Sequence, residues 1–471
     1  MISKIISHEW LQWRRDSRLK WLAIFLVVIS AFALWHQINF QSTLLKKRLK
    51  AQEDSRQEWL SQELKHPHMA AHFGNYAYKK PTLLHCFDPG LTIYTGTSVY
   101  MEPHKQNDFL FSQSQESDTG IRFGWLSPAM ICQLILPLLI ILLSFNSING
   151  EYEKGTMALL ISQGANFRSV LIAKTASVFL FFEGFITLYL LVTAYCSAVY
   201  LGTVIDIYAV LYIWIVYSLY CFIWSLSGVL VSSLIKSSGT SIALLLLLWM
   251  FTNIILPRGS ANIAENMHPL ITNQQFKQLL TASIDKGIDG HDPKNERAKK
   301  IEKELLLQYK VDSVQQLPFN FEGFIMQQSE AYSSKVYDHH FNQLFTTLKQ
   351  QKKIQSLFGI ISPYISLRNI SMAAANASLE TEIDFQQQAE HYRRSFVQNM
   401  NNDMKDNSAY GSFKTYRVRK DKYASIGDLQ VQNRTMQWSI PTLFIEHISL
   451  LLWVLFLMIL LFISNQKKVY N

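Results

Sequence analysis

The stretch PAMICQLILPLLIILLSFNSI (Pro128–Ile148) runs directly into NGEYEKGTMALLISQGANFR (Asn149–Arg168), and a second apolar run opens at Leu171. A helix crossing the hydrocarbon of a bilayer needs about 20 mostly apolar residues. The first run has that length and carries no charge. The polar interval behind it holds Glu151, Glu153, Lys154 and three glycines, and then returns the chain to an apolar course. This pattern reads as two membrane spans joined by a short, structured hinge.

Outward from that hinge, the 471 residues are 49% hydrophobic and only 17% charged, and the apolar residues are gathered into long blocks rather than spread at surface-helix spacing. Six blocks have spanning character: 21–38, 128–148, 171–198, 207–235, 241–256 and 443–464. The fold class expected is therefore mainly α, a polytopic membrane protein with six transmembrane helices. Short-loop Lys and Arg mark the cytoplasmic side of such proteins. Lys4, Arg14, Arg15, Arg18 and Lys20, then Lys154 and Arg168, then Lys236, then Lys467 and Lys468 fall on one side, whereas the 201–207 loop has neither Lys nor Arg. Both termini are expected to be cytoplasmic, with the hinge at 149–170 and a short tail at 465–471 on the same side. Trp10, Trp13 and Trp21, and on the far side Trp35, Trp125 and Trp438, fall where interfacial aromatic belts belong.

Basic residues, an apolar core and Ala31-Phe32-Ala33 imitate a cleavable signal, but the run continues through Leu34 and Trp35, which favours a retained span. Residues 1–20 place Ile2, Ile5, Ile6, Trp10 and Trp13 at helical spacing, with Lys4, His8, Glu9 and Arg15 elsewhere on the wheel. Such a segment is expected to lie flat on the inner leaflet. Two large outer segments remain, 39–127 and 257–442. The first continues span one and then turns to short extended pieces around Pro81, Pro89, Gly90 and Gly96. The second reads as helices over 273–284, 293–309, 322–350 and 379–404, giving a largely helical extracytoplasmic domain.

Composition excludes several function classes. A net charge of +9 is spread over membrane flanks and outer segments with no base-reading motif, so no nucleic-acid partner is expected. Four cysteines make no disulfide framework, although a Cys132–Cys196 bridge is conceivable beside the default of buried thiols. No Gly-rich loop precedes Lys-Ser or Lys-Thr, so the chain is expected to bind no nucleotide and to be no enzyme itself. SLSGVL (Ser225–Leu230) lies inside span four and His8-Glu9 has no following zinc-ligand histidine, so neither carries chemistry. His66, His68 and His72 are the one histidine cluster considered for metal; Pro67 among them and the lack of supporting Cys or carboxylate spacing leave the metal set empty. Glu183 falls mid-span in FLFFEGFITLY, where an unpaired charge costs at least ~2.5 kcal/mol. It reads either as a polar tie between helices or as part of a translocation path, and no second ionisable residue at similar depth answers it.

The hinge is where a partner is expected. Gly155 and Thr156 permit a sharp change of direction, Gly164 with Asn166 ends a short helix, and Glu151 and Glu153 offer charge. NGEYEKGTMALLISQG closely resembles the Glu-x-Glu-x-Gly-Thr-Leu hinge after the second span of type-2 ABC exporter permeases, with Met157 in place of the common leucine. Six spans, cytoplasmic ends and an amphipathic elbow helix match that family as well. DPGLTIYTGTSVYMEPHKQNDFLF (Asp88–Phe111) and AEHYRRSFVQNMNND (Ala389–Asp403) resemble outer segments of a bacterial subgroup with large insertions. The resemblance implies a permease subunit of a bacterial inner membrane, contacting a separate ABC ATPase through Glu151, Glu153, Gly155 and Thr156, and paired with a second permease copy or a related one. ATP would be used only through that partner. A non-transporting complex, in which the ectodomain works mechanically on an envelope partner, is the alternative.

Overall fold

The computed structural model describes residues 1–107, 109–110, 126–288, 292 and 294–464. Trp125, Pro293 and the 465–471 tail with Lys467 and Lys468 lie outside the described residues. The protein is mainly helical and multi-pass: six helices are long and apolar enough to cross a membrane. An amphipathic helix α1 (Ile2–Arg15) leads at Asp16, whose carboxylate accepts from Arg18 N at 2.8 Å, into α2 (Ser17–Ser61). The first span is thus the base of one unbroken 45-residue helix. Its outer half leaves the apolar zone at Gln41 and keeps helical order because its buried face finds partners far along the chain. The Trp59 indole donates to Tyr423 O at 2.9 Å, and the buried Arg48 donates to Lys79 O at 3.0 Å.

After a short helix α3 (Pro67–Ala71), strands β1 (Asn75–Tyr78), β2 (Ser98–Met101) and β3 (Phe109–Leu110) form one antiparallel sheet in sequence order, with Asn75 opposite Met101 and Ser98 opposite Leu110. The second span, α4, covers 128–144, and the hinge carries α5 (Asn149–Glu153) and α6 (Thr156–Ser162). Three spans follow: α7 (Phe167–Leu201), α8 (Ile207–Leu234) and α9 (Ser238–Met267). The outer helices are α10 (Asn273–Lys286), α11 (Lys294–Tyr309), α12 (Phe321–Phe358), α13 (Pro363–Ala374) and α14 (Leu379–Asn407), and α15 (Phe444–Ile463) is the last span.

Two of these elements depart from the sequence reading. Pro257 reads as the end of the fifth span, yet α9 runs on to Met267. Between the helices expected over 322–350 and 379–404 the structure adds α13, which starts at Pro363 behind the capping side chain of Ser362. Pro363 stands at the first position of its helix, where proline starts a helix well, whereas Pro257 is carried inside α9.

The prolines inside α4 and α9 share one device. A π-turn at Ile131–Ile135 precedes Leu136-Pro137, and a π-turn at Phe251–Ile255 precedes Leu256-Pro257. Proline brings no N–H and crowds the carbonyl four residues back, so a continuous α-helix is strained there and a carbonyl goes unpaired. In lipid that carbonyl must find a donor within the protein. The Tyr220 hydroxyl on α8 donates to Gln133 O, four residues before Pro137, at 3.0 Å, and the Ser362 hydroxyl donates to Thr252 O, five residues before Pro257 within its π-turn, at 2.6 Å. Trp249 on α9 also donates to Leu134 O at 3.2 Å, joining the two prolyl helices to each other.

The domain built from the two large segments between spans is seated on this bundle rather than tethered above it. Leu84, Cys86 and Phe87 of the first outer segment and Leu367, Ile370 and Ala373 of α13 belong to the same buried apolar cluster as the spans. α13 packs on α8 and α15, while α12 and α14 pair above it. Close contact of α4 and α8 depends on Gly228, where an added Cβ would fall 1.8 Å from Ser144 Oγ. All four cysteines are free.

If the Tyr220 hydroxyl stands in for the donor that Pro137 lacks, their replacements are coupled. Tyr220→Phe should lower stability in detergent by about 0.5–2 kcal/mol, and Pro137→Ala, which gives α4 a donor of its own, should shrink that loss. Additive losses in the double-mutant cycle would refute the substitution of one donor for the other.

Candidate docking hinge

The hinge is built as a corner. α5 ends at Lys154, and Gly155 takes the left-handed conformation at φ 73°, where a side chain would be strained. α6 then leaves in a new direction, turning Met157 into the core and leaving Leu159 58% exposed. Gly164, at φ 87°, ends α6, whereas Asn166 does a different job from the one read in the sequence: its Oδ1 caps α7 by accepting from Ser169 N at 2.6 Å. The root of the corner is Asn149, fully buried. Its Nδ2 donates to Ser241 Oγ at 2.8 Å and its Oδ1 accepts from the Ser232 and Ser238 hydroxyls, each at 3.1 Å. The hinge is therefore fixed to the end of α8 and the start of α9.

Glu151 and Glu153, the two acids expected to face a partner, both make bonds within the chain. Glu153 Oε1 accepts from Ser238 N at 3.1 Å and Ser238 Oγ at 2.9 Å, bonding to the first turn of α9. Glu151 Oε1 lies 2.5 Å from Lys174 Nζ, and its other oxygen takes the Thr156 hydroxyl across the corner. Lys174, on α7 and only 3% exposed, also meets Glu9 Oε1 of α1 at 2.7 Å. Glu9 is thus buried and paired, not on the solvated face of the elbow helix. Trp10 completes the seat by donating to Ser177 O at 3.2 Å. Elbow, hinge and third span meet at one ammonium held between two carboxylates.

The exposed residues of the corner are Glu153, Lys154, Gly155, Thr156, Ala158, Leu159, Ser162, Gln163 and Gly164. An apolar side chain raised among small and polar groups, on a rigid corner, is what a protein partner can grip. It lies at the end of the bundle remote from the ectodomain, together with α1 and the turn between α8 and α9.

Glu183 ties two spans: its Oε1 is 2.7 Å from Ser218 Oγ of α8, while Oε2 is buried without a hydrogen-bond partner. Beside it Trp214 donates to Thr187 Oγ1 at 2.9 Å, a second link between α7 and α8. Sequence reasoning passed over Lys174 and Asn149, although a lysine at the start of an apolar run is itself a signal of an internal partner. It also passed over Glu446, 1% exposed at the start of α15, which accepts from Ser356 Oγ at 2.5 Å and Asn369 Nδ2 at 2.9 Å of the ectodomain.

Among the outer histidines, His66 is not grouped with His68 and His72 by function. Its Nδ1 accepts from His68 N at 3.3 Å as the cap of α3, and Pro67 opens that helix instead of disturbing it. His104 joins His68 and His72 instead, with ligand atoms within 4.8 Å of one another. Burial, then the neighbouring His72 and His104, pushes His68 down to about 4, so its ring is neutral at pH 7. Burial opposes ionisation of Glu330, but its hydrogen bond to His104 and the charge of Arg393 outweigh burial and hold the carboxyl below its usual range.

Residues 270–432 match the model of a family described as a domain of unknown function (DUF3526). The match covers the outer helices from α10 through α14 and leaves out the hinge and the spans. No curated protein and no solved structure matches the chain.

Lys174→Met strands two carboxylates in a buried site, and removing one partner of a buried pair costs roughly 3–5 kcal/mol. A large drop in the melting temperature of the purified chain is expected. Adding Glu9→Gln and Glu151→Gln to that variant should restore most of it; a single variant as stable as the parent would show that the triad carries no weight.

Proposed function

We propose that this multi-pass protein is the permease subunit of an ABC-type exporter, driven by a separate ATPase that docks on the hinge. The observation that carries the proposal is the hinge corner itself: fixed at its root by Asn149, tied by Lys174 to the elbow, and offering Leu159 outward. The likeness of the hinge sequence to type-2 ABC exporter permeases supports the same reading. In this proposal Gly155, Thr156 and Leu159 touch the ATPase. Glu151 and Glu153 pass its movement inward, to α7 and to the first turn of α9. The hinge side is then cytoplasmic, both termini lie there, and the membrane is the bacterial inner membrane. ATP is bound by the partner alone. A second copy, or a related permease, would complete the assembly, and the fifth span supports this, since only 22% of its most apolar window is buried within one chain.

A specific observation favours the mechanical alternative. The exposed face of α9 at membrane level is formed by Leu244, Leu247, Met250, Phe251 and Ile255, while Thr252 and Asn253 turn inward. Two copies meeting on that face would form a seam without polar groups, and the unbroken α2 would carry motion to the ectodomain. The readings separate on ATPase-dependent movement of solute in proteoliposomes, which the exporter requires and the mechanical complex does not.

Docking is tested by purifying the tagged full chain from its native membrane. The parent should bring down a nucleotide-hydrolysing subunit. Leu159→Glu, at an exposed position, should lose that subunit with its melting temperature unchanged, and retention at the parent's stoichiometry would remove the hinge as the contact.

Sidedness has its own measurement. In intact cells an impermeant thiol reagent should modify a cysteine placed at Ser329, on exposed outer α12, and should spare cysteines at Ser162 and Ser237. Labelling of Ser162→Cys at the rate of Ser329→Cys would overturn the orientation.

A further inference from the structure

His68 and His72 stand four residues apart at either end of α3, so both rings project from one side of a single turn and a half. Their Nε2 atoms are 3.3 Å apart. Two nitrogens each about 2.0–2.1 Å from a tetrahedral metal ion are separated by about 3.3 Å. The third ring comes from elsewhere in the chain. His104 sits in the tight turn after β2, closed by the Glu102–Lys105 bridge, and holds a left-handed φ of 68° that costs a non-glycine residue energy. That conformation brings its ring centroid to 5.5 Å from His68 and 5.2 Å from His72.

What stands behind the third ring is as informative. Glu330 of α12 takes Nδ1 of His104, leaving Nε2 as the free ligand atom of that ring. The carboxylate is itself buried and is steadied by Arg393, whose Nη1 lies 3.8 Å from Glu330 Oε2. A histidine bound to metal almost always gives its other nitrogen to a carboxylate or carbonyl, which sets its tautomer and orientation. His72 and His104 are exposed, so no demand of core packing explains why three imidazoles converge.

We propose that His68, His72 and His104 form a binding site for a divalent first-row transition metal such as Zn²⁺, with Glu330 orienting His104 and the remaining coordination position open to solvent. Three imidazoles without an oxygen-rich shell suit Zn²⁺, Co²⁺, Ni²⁺ or Cu²⁺, and disfavour Ca²⁺ and Mg²⁺. The ion would join α3 to the β2 turn, and through Glu330 it would link both to α12, pinning the first outer segment to the second. Its open position would accept a ligand from outside the protein. The site is independent of the hinge and stands whether or not an ATPase docks there.

The test uses the full chain in detergent, with any polyhistidine tag removed and metal stripped by a chelator. Equilibrium dialysis against Zn²⁺ should reach one ion per chain at micromolar concentration or below, and should be unaffected by millimolar Mg²⁺. Co²⁺ should give visible absorption of four-coordinate intensity. The double variant His72→Gln/His104→Gln should fold, bind Zn²⁺ at least 100-fold more weakly, and lose the rise in melting temperature that Zn²⁺ gives the parent. Glu330→Gln should weaken binding about 10–100-fold. No saturable binding by the parent, or parental affinity in the double variant, would overturn the site; a hydrogen bond between two neutral imidazoles would then be all that joins His68 and His72.

Discussion

A polypeptide in hydrocarbon has no water to satisfy its backbone, and the architecture is organised by that demand at two places. Pro137 and Pro257 each interrupt a span, each lies behind a π-turn, and each leaves a carbonyl to be met from a neighbouring element. The donors are Tyr220 and Ser362. Because Ser362 belongs to the ectodomain, the need of the fifth span for one donor fixes where the outer domain sits. The same level carries a continuous polar row: Gln133 Nε2 to the Tyr217 hydroxyl at 2.7 Å, Tyr217 to Ser371 at 3.0 Å, and Ser371 to Asp88 at 2.5 Å. It leads from a span to the base of both outer segments.

At the other end of the bundle, organisation is electrostatic. Lys174 lies between Glu9 and Glu151, so the elbow and hinge cannot move independently of the third span without separating charge in a site that excludes water. Glu153 and Asn149 add the end of α8 and the start of α9 to the same assembly. Acids at a membrane hinge suggest attraction to a partner; here Glu151 is paired with Lys174 within the chain, Glu153 bonds Ser238 while staying exposed, and the apolar Leu159 faces out beside it.

Hydropathy made the spans legible because lipid imposes a length on each apolar run, and Gly155 marked the corner because left-handed backbone there favours glycine. The continuation of span one into a long helix was legible, and its order beyond Gln41 comes from contacts such as Trp59 on Tyr423, hundreds of residues apart in sequence. The extent of α9 was less legible, since beyond Pro257 the helix is polar enough to pass for surface. The partners of Lys174 were hidden for the same reason: Glu151 is 23 residues away and Glu9 is on another helix. His104 could not be joined to His68 from spacing, since a turn conformation and not a periodic pattern brings it there. Prolines misled most: Pro67 and Pro363 open helices, and Pro257 sits inside one.

The length of α2 has a geometric consequence. At 1.5 Å per residue its 45 residues make a rod close to ~67 Å long, more than twice the hydrocarbon thickness of about 30 Å. A rod held by lipid near one end magnifies angle into distance: a rocking of only about 5° near residue 30 sweeps the Trp59 end through roughly 4 Å, on the order of a helical turn. Small reorientations in the bilayer are therefore large displacements at the far side of the outer domain, where Trp59 is gripped by Phe73, Phe396 and Tyr423.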